Sequence, residues 1–406
     1  MAFENISRRN FLKLSSVAAA GLGLTACGNS GSASSDSVAA GDTFLIGGIG
    51  PVTGAAAIYG SATKYGAQVA VDEVNAAGNI KMELKWEDDE HDAEKSVNAY
   101  NTLKDWGMQI LVGTTTTTPC VAVSTESNAD RIFELTPSAS SVNVIGGEEI
   151  GADNPRKDNV FQMCFTDPNQ GTASAQYIDE QQLGTKVAII YNNADAYSTG
   201  IYQKFVDEAE SKSFEIVSTT TFTDDQTDFS VQVKDAKDNG ADLVFLPIYY
   251  TPASLILAEA KKQDFAPKFF GVDGMDGILT LEGFDTSLAE GVMLLTPFVA
   301  TAEDEATQSF DEAYKAATDS DENPNQFAAD AYDCVKAIAQ AIEEAGITPD
   351  MATDEMCDAL IAKFTDESFV YDGLTGESSW STTGEVTKTP KGMVIEGGVY
   401  MPLDEE

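Results

Sequence analysis

Positive charge is scarce in this chain. Its 406 residues carry 24 lysines and arginines against 66 aspartates and glutamates, a formal charge of −42. A surface of that sign repels phosphates at long range, which excludes nucleic acid and an anionic membrane face as partners. Histidine is scarcer still. His91 stands alone in the acidic run Glu87-Asp88-Asp89-Glu90-His91-Asp92, which reads as a solvated strand end without a defined metal geometry. No GxSxG occurs, so the chain offers no nucleophile-and-base constellation and no enzyme activity is expected. Gly48, Gly50 and Gly54 miss the dinucleotide-binding spacing. The run from Asp319 to Asp330 begins like a calcium loop but has Pro324 where a glycine is required. Neither a cofactor nor a metal is expected. No two cysteines form CxxC, which removes zinc and thioredoxin-type chemistry. Beyond the N-terminus no stretch approaches the roughly 18 apolar residues of a membrane span.

What is present begins with an address. Ser7-Arg8-Arg9-Asn10-Phe11-Leu12-Lys13 precedes a short apolar run that ends in Leu24-Thr25-Ala26-Cys27. Basic residues followed by a short apolar stretch are the order of an export signal. The paired arginines resemble a twin-arginine signal, although general secretion signals share the basic residues. The ending resembles a bacterial lipobox, so residues 1–26 are expected to be removed and Cys27 to be lipidated. Residues 27–41, rich in glycine, serine and alanine, are expected to form a flexible tether. The protein would then be exported and lipid-anchored to the outer face of the cytoplasmic membrane, at the cell surface or in the periplasm.

From Thr43 onward, short β-branched runs alternate with long amphipathic segments, the signature of βαβ units. Strands are predicted at 44–49, 82–86, 110–112, 132–135 and 160–165, with helices near 59–77, 93–106 and 121–130. The rhythm restarts at Lys186, with strands at 187–191, 215–220, 243–247 and 269–272 and helices near 199–211, 229–239 and 253–263. Helices near 302–317, 327–345 and 354–364 and a short β-rich ending follow. The fold class is α/β, with two similar lobes, each a mostly parallel sheet flanked by helices. Within the first lobe, Leu111 to Pro119 reads LVGTTTTTP: a strand end, a hydroxyl-lined loop and a helix start in series, which suits a small anion such as a carboxylate.

In this frame the chain resembles the type I periplasmic-binding proteins of the branched-chain amino-acid group, the solute-binding components of ABC importers. The marks are Gly50-Pro51-Val52-Thr53-Gly54 followed by Tyr59-Gly60; Leu135-Thr136-Pro137-Ser138-Ala139-Ser140; Asp195-Ala196-Tyr197-Ser198-Thr199-Gly200; and Gly271-Val272-Asp273-Gly274. The resemblance implies three inter-lobe crossings, near 165–168, 295–298 and 377–383. The lobes would then be 42–165 plus 298–378 and 166–297 plus 379–406. It implies a ligand carboxylate held by Thr117, with Thr116 or Thr118 as the other candidate donors, and by Ser138, Ala139 and Ser140. The ammonium would fall to Asp273, with aromatic contacts from Tyr59, Tyr197 and Tyr249; Tyr250 competes with Tyr249. No basic residue matches a ligand position, which favours a neutral, aliphatic or small amino acid. The implied partners are that amino acid and the membrane subunits of an ABC permease with their cytoplasmic ATPase. A monomer is expected. A sensor of the same fold for an amide, short peptide or aromatic acid is the alternative. Four cysteines remain after Cys27. Lobe layout favours Cys120 with Cys164 and Cys334 with Cys357, and buried free thiols are the other reading.

Overall fold

The structure, a computed structural model, describes residues 41–147, 154–388 and 391–403. The expected signal, Cys27 and the tether up to residue 40 lie outside the described residues. The first strand, β1 (Phe44–Ile49), is a continuous apolar run, as a strand covered on both faces requires. The alternation continues through α1 (Ala57–Ala77), β2 (Met82–Glu87), α2 (Ala93–Trp106), β3 (Ile110–Val112), α3 (Thr117–Asp130), β4 (Phe133–Thr136), α4 (Val142–Ile145) and β5 (Val160–Gln162). These five strands form one parallel sheet in the order β2-β1-β3-β4-β5.

The second lobe opens with α5 (Asp167–Glu180) and β6 (Lys186–Asn192). It continues through α6 (Ala196–Ala209), β7 (Glu215–Phe222), α7 (Ser230–Asp238), β8 (Leu243–Leu246), α8 (Tyr250–Lys262), β9 (Lys268–Gly271) and β10 (Met293–Thr296). The chain returns to the first lobe for α9 (Glu305–Thr318), α10 (Gln326–Ala345), α11 (Thr353–Phe364), β11 (Tyr371–Gly373) and β12 (Gly376–Ser378). It ends on β13 (Lys391–Glu396) and β14 (Val399–Pro402), which complete a second sheet in the order β14-β13-β10-β9-β8-β6-β7. Pairing is parallel from β7 to β10 and antiparallel at β13 and β14. The architecture is therefore the α/β pair of mostly parallel sheets that the sequence predicts.

Three differences have physical causes. The sequence predicts no helix between Pro168 and Lys186, yet α5 fills that interval. Its Gly171, Thr172 and Ser174 are weak helix formers, and the glycine is there for packing: a Cβ on Gly171 would come within 2.5 Å of the Ile201 carbonyl of α6. Next, the chain stays with the first lobe beyond residues 377–383. The Trp380 indole donates to the Gln162 carbonyl at 2.8 Å, and Trp380 and Val386 belong to the core around Phe133, Phe161 and Phe364, so the third crossing follows Val386. Finally, Cys120, Cys164, Cys334 and Cys357 are all buried free thiols, which removes the two disulfide pairings.

Closure of one lobe on the other is set by an apolar cluster common to both. Tyr59 and Ala62 of α1 and Phe327 of α10 pack with Ile248, Tyr250 and Ile278 of the second lobe. Helices α1 and α10 cross tightly, because a Cβ on Gly66 would strike the Ala328 carbonyl at 2.0 Å. Among the described residues, no helix is long and apolar enough to cross a membrane.

Candidate functional site

In the first lobe, the carboxyl ends of β3 and β4 carry the hydroxyl loops. Thr116 is the N-cap residue of α3, with extended backbone (φ −109°, ψ 151°) and no side chain bonded to the first-turn amides. A helix start left in that way suits an anion. The loops are tied to one another within the lobe. Ser138 Oγ donates to the Thr115 carbonyl at 2.6 Å and Thr136 Oγ1 to that of Thr114 at 2.7 Å. Thr115 Oγ1 lies 2.8 Å from Thr63 Oγ1 and donates to the Ile49 carbonyl at 3.3 Å.

The second lobe presents a carboxylate. Asp273 opens a one-turn 3₁₀ helix after β9. Tyr197 Oη donates to its Oδ1 at 2.6 Å and Gln170 Nε2 to its Oδ2 at 2.9 Å. The same Tyr197 oxygen accepts the Gly274 amide at 2.9 Å. A Cβ on Gly274 would lie 2.5 Å from that oxygen, so only glycine leaves room for the bond. The Tyr197 ring stacks on Tyr249, with centroids 4.7 Å apart and planes 3° from parallel. Burial pushes the Asp273 carboxyl up to about 7, while Tyr197, the Gly274 amide and Gln170 pull it down.

The two half-sites meet directly. Tyr59 Oη donates to the Gly274 carbonyl and accepts the Tyr250 amide at 3.2 Å. Tyr250 Oη donates to the Ala55 carbonyl at 2.9 Å. Gln326 Nε2 donates to the Asp273 carbonyl at 3.1 Å, and the Gln326 amide to Asp276 at 2.8 Å. Between the lobes lies a cavity of about 10 Å³, walled by Tyr59, Thr115, Thr116, Ser138, Phe327, Tyr197, Tyr249, Asp273 and Gly274. That volume holds about one water, so a larger solute requires the lobes to part. No lysine or arginine lines it.

Of the residues singled out in the sequence, Tyr59, Thr116, Ser138, Tyr197, Tyr249 and Asp273 share this wall. Thr117, Ala139 and Ser140 are buried behind it. The Ala139 amide is spent on Thr136 Oγ1 at 3.1 Å and its carbonyl on Gln162 at 2.7 Å. Thr117 Oγ1 and Ser140 Oγ have no partner. Thr118 reaches across the cleft to Asp195 at 3.4 Å. Tyr250 does not line the cavity; it seals the lobe interface beside it. His91 is a correction: it is no solvated strand end. Its Nδ1 lies 2.8 Å from Thr116 Oγ1 and its ring meets Tyr249 edge-on at 5.8 Å. Burial holds the imidazole below its ordinary pKa, against Asp224 and Asp92. Thr115 belongs to the hydroxyl-lined loop already singled out, whereas Phe327, Gln170 and Gln326 went unnoticed, and none of the three stands in a local motif that marks it.

Two α/β lobes closed over a small polar cleft, at the carboxyl ends of their strands, define a solute-binding clamp rather than a rigid pocket. The comparisons agree. The model of the periplasmic binding protein family matches residues 43–393, and the chain belongs to that family. A twin-arginine translocation signal model matches residues 5–25, which marks the chain for export. A Leu/Ile/Val-binding protein homolog 3 from Brucella melitensis is 28% identical over 347 residues, 85% of this chain and 89% of that one. The LivJ branched-chain amino acid transporter substrate-binding protein of Streptococcus pneumoniae, solved with isoleucine, is 27% identical with a TM-score of 0.76, covering 88% of this chain and 97% of its own. A benzoate-bound ABC-transporter solute-binding protein from R. palustris, 17% identical, has the same fold at a TM-score of 0.76, with 89% and 95% covered.

Proposed function

We propose that this chain is the lipid-anchored, extracytoplasmic receptor of an ABC importer that captures a neutral amino acid and delivers it to a permease with its cytoplasmic ATPase. The observation that carries the reading is the pairing of opposites across the cleft. Hydroxyls and the uncapped start of α3 stand on one wall, and Asp273 stands on the other. A zwitterion satisfies both at once, through charge-assisted bonds that need no buried lysine or arginine. The relatives named for leucine, isoleucine and valine support an amino acid with an uncharged side chain. An aromatic acid such as benzoate fits the hydroxyl wall and could stack on Tyr249, but it brings no cation to Asp273, and that favours the amino acid.

Binding proceeds by capture and closure. The first lobe holds the carboxylate, the second reaches the ammonium, and the closed form is favoured only by contacts the open form lacks. The site binds without transforming its ligand. Thr116 and His91 form a hydroxyl–imidazole pair, but among the described residues no third group is hydrogen-bonded to that ring to orient it as a base. Cys27 supplies the two acyl chains that stable anchoring takes. The test is calorimetry on the purified protein, unfolded and refolded to strip carried-over solute, against all common amino acids and benzoate. Saturable binding of a neutral amino acid supports the reading. Binding of benzoate alone rejects it. Metabolic labelling with a fatty acid, lost in Cys27→Ser, tests the anchor.

A further inference from the structure

A hydroxyl holds a carboxylate only if its hydrogen is free to point at it, and it has one hydrogen to give. On the first-lobe wall of the cavity most of those hydrogens are already spent. Ser138 Oγ donates to the Thr115 carbonyl, Thr115 Oγ1 to the Ile49 carbonyl and Tyr59 Oη to the Gly274 carbonyl. Thr116 is the exception. Its Oγ1 has one partner among the described residues, His91 Nδ1 at 2.8 Å. The direction of that bond decides what a ligand meets. If Nδ1 accepts, the Thr116 hydrogen is spent as well, and the wall turns only lone pairs toward an anion. If Nδ1 donates, the Thr116 hydrogen is left for the cavity.

The loop between β2 and α2 holds His91 in place. Glu90 and His91 both take left-handed backbone, at φ 50° and 62°. The His91 amide donates to Asp89 Oδ1 at 3.0 Å, and the buried Asp89 accepts Ser96 Oγ at 2.9 Å through its other oxygen. On the far side, Asp92 caps α2 by accepting the Lys95 amide at 2.9 Å. The ring therefore projects from a pinned turn, with Thr116 on Nδ1 and Tyr249 edge-on. Burial lowers its pKa, against Asp224 and Asp92, so near pH 7 the imidazole is neutral and only one of its nitrogens carries a hydrogen. The ring is not part of the cavity wall. Whatever it does for a ligand, it does through a neighbour.

We propose that His91 is a positioning residue for the ligand's carboxylate: its Nδ1 carries the ring hydrogen and donates to Thr116 Oγ1, which aims the Thr116 hydroxyl into the cavity. This rests on the amino-acid reading and names the group that orients its anion site. Thr116 is also the N-cap residue of α3, so the aimed hydroxyl joins the free amides of that helix start. A donor oriented before the ligand arrives need not be ordered when it binds.

The chain contains a single histidine, so nitrogen-15 labelling of histidine, in protein without a polyhistidine tag, reports on this ring alone. The stripped protein is saturated with leucine, or with the neutral amino acid that binds most tightly in calorimetry, and the nitrogen spectrum tells a protonated ring nitrogen from a bare one. Nδ1 should be protonated, and a bare Nδ1 overturns the proposal without help from any variant. Calorimetry on variants then tests the route through Thr116. Asparagine and aspartate both tolerate left-handed backbone, so His91→Asn and His91→Asp each fit the turn. His91→Asn keeps an N–H beside Thr116 and should hold affinity within about threefold, whereas His91→Asp offers only acceptors and should weaken binding by about tenfold or more. Thr116→Val should itself cost about tenfold, and in that background the two His91 variants should differ by less than about threefold, because no hydroxyl remains to be turned. A difference that persists there is the new charge acting without Thr116, and it overturns the proposal. So does His91→Asn binding as weakly as His91→Asp. Silence of the parent protein toward every neutral amino acid overturns the amino-acid reading and the proposal together, whereas binding with a bare Nδ1 overturns the proposal alone.

Discussion

The two lobes contribute unlike halves to one site. The first lobe offers neutral groups: the hydroxyls of Thr115, Thr116 and Ser138 and the rings of Tyr59 and Phe327. The second offers the only ionisable carboxylate in the cavity wall, Asp273, with the stacked pair Tyr197 and Tyr249. Each half is braced inside its own lobe, Ser138 by the Thr115 carbonyl and Asp273 by Tyr197 and Gln170. Each is thus built before the lobes meet, and closure only brings them together. Preorganised donors cost little to engage. The difference is one of charge: loss of a full charge at the cavity wall should trace to the second lobe.

The largest expected effect falls where the halves are joined. Lys388 Nζ lies 2.9 Å from Asp330 Oδ1, with both side chains almost wholly buried at the third crossing. Asp330→Ala strands the lysine and should cost about 3–5 kcal/mol of stability in urea unfolding. A loss under 1 kcal/mol would mean that the crossing relaxes and the pair does not hold it. Next comes the contrast itself. Asp273→Asn should weaken amino-acid binding by about 2–5 kcal/mol, as when one partner of a buried charged pair is removed. Ser138→Ala should cost only about 0.5–1.5 kcal/mol, the worth of one neutral hydrogen bond. Equal losses in calorimetry would break the comparison.

The pH response sharpens it further. Burial raises the Asp273 carboxyl to about 7, against about 3.9 in an unfolded chain. Between those values the unfolded chain has released its proton and the folded one retains it, so the stability of the protein without ligand falls as pH rises through that window. An ammonium ligand has the opposite slope, because it favours the ionised carboxylate. Its affinity should be full above about pH 7 and fall by about tenfold per unit below it. Glu134 is raised to about 7, and Asp89, Asp195, Asp276 and Asp330 to about 6, also chiefly by burial. Asp273→Asn should therefore remove the slope in affinity near pH 7 but only reduce the slope in stability, to which Glu134 still contributes.

How much of this was legible in the chain follows from where the signal lies. Strands such as β1 and β8 are short apolar runs with clear ends, and α10 carries Phe327, Ala331, Cys334, Val335 and Ile338 at helical spacing. Periodicity therefore reads them directly. Helix α5 was invisible because its Gly171 answers to α6, a partner some thirty residues away. The site divides in the same way. Tyr197 and Asp273 sit in recognisable local motifs, whereas His91 and Phe327 meet Thr116 and Tyr59 only through the packing of the first lobe, and Gln326 reaches Asp273 across the cleft. No local pattern encodes contacts between segments so far apart in the chain.

The smallest effect tests closure alone. Tyr59 belongs to the neutral lobe, yet its hydroxyl bonds only across the cleft, to the Gly274 carbonyl and the Tyr250 amide. Its ring packs within the first lobe on Phe327, with centroids 4.6 Å apart. Tyr59→Phe keeps that packing and removes just the inter-lobe bonds, so stability should change little. The closed form alone loses them, which should weaken binding by about 1 kcal/mol, roughly fivefold. Ligand dissociation should account for most of the change, since the open form that captures solute never had these bonds. Stopped-flow release of the bound amino acid measures it. A slower capture with unchanged release would mean that Tyr59 acts in the open lobe, and the half-sites would not then be independent before they meet.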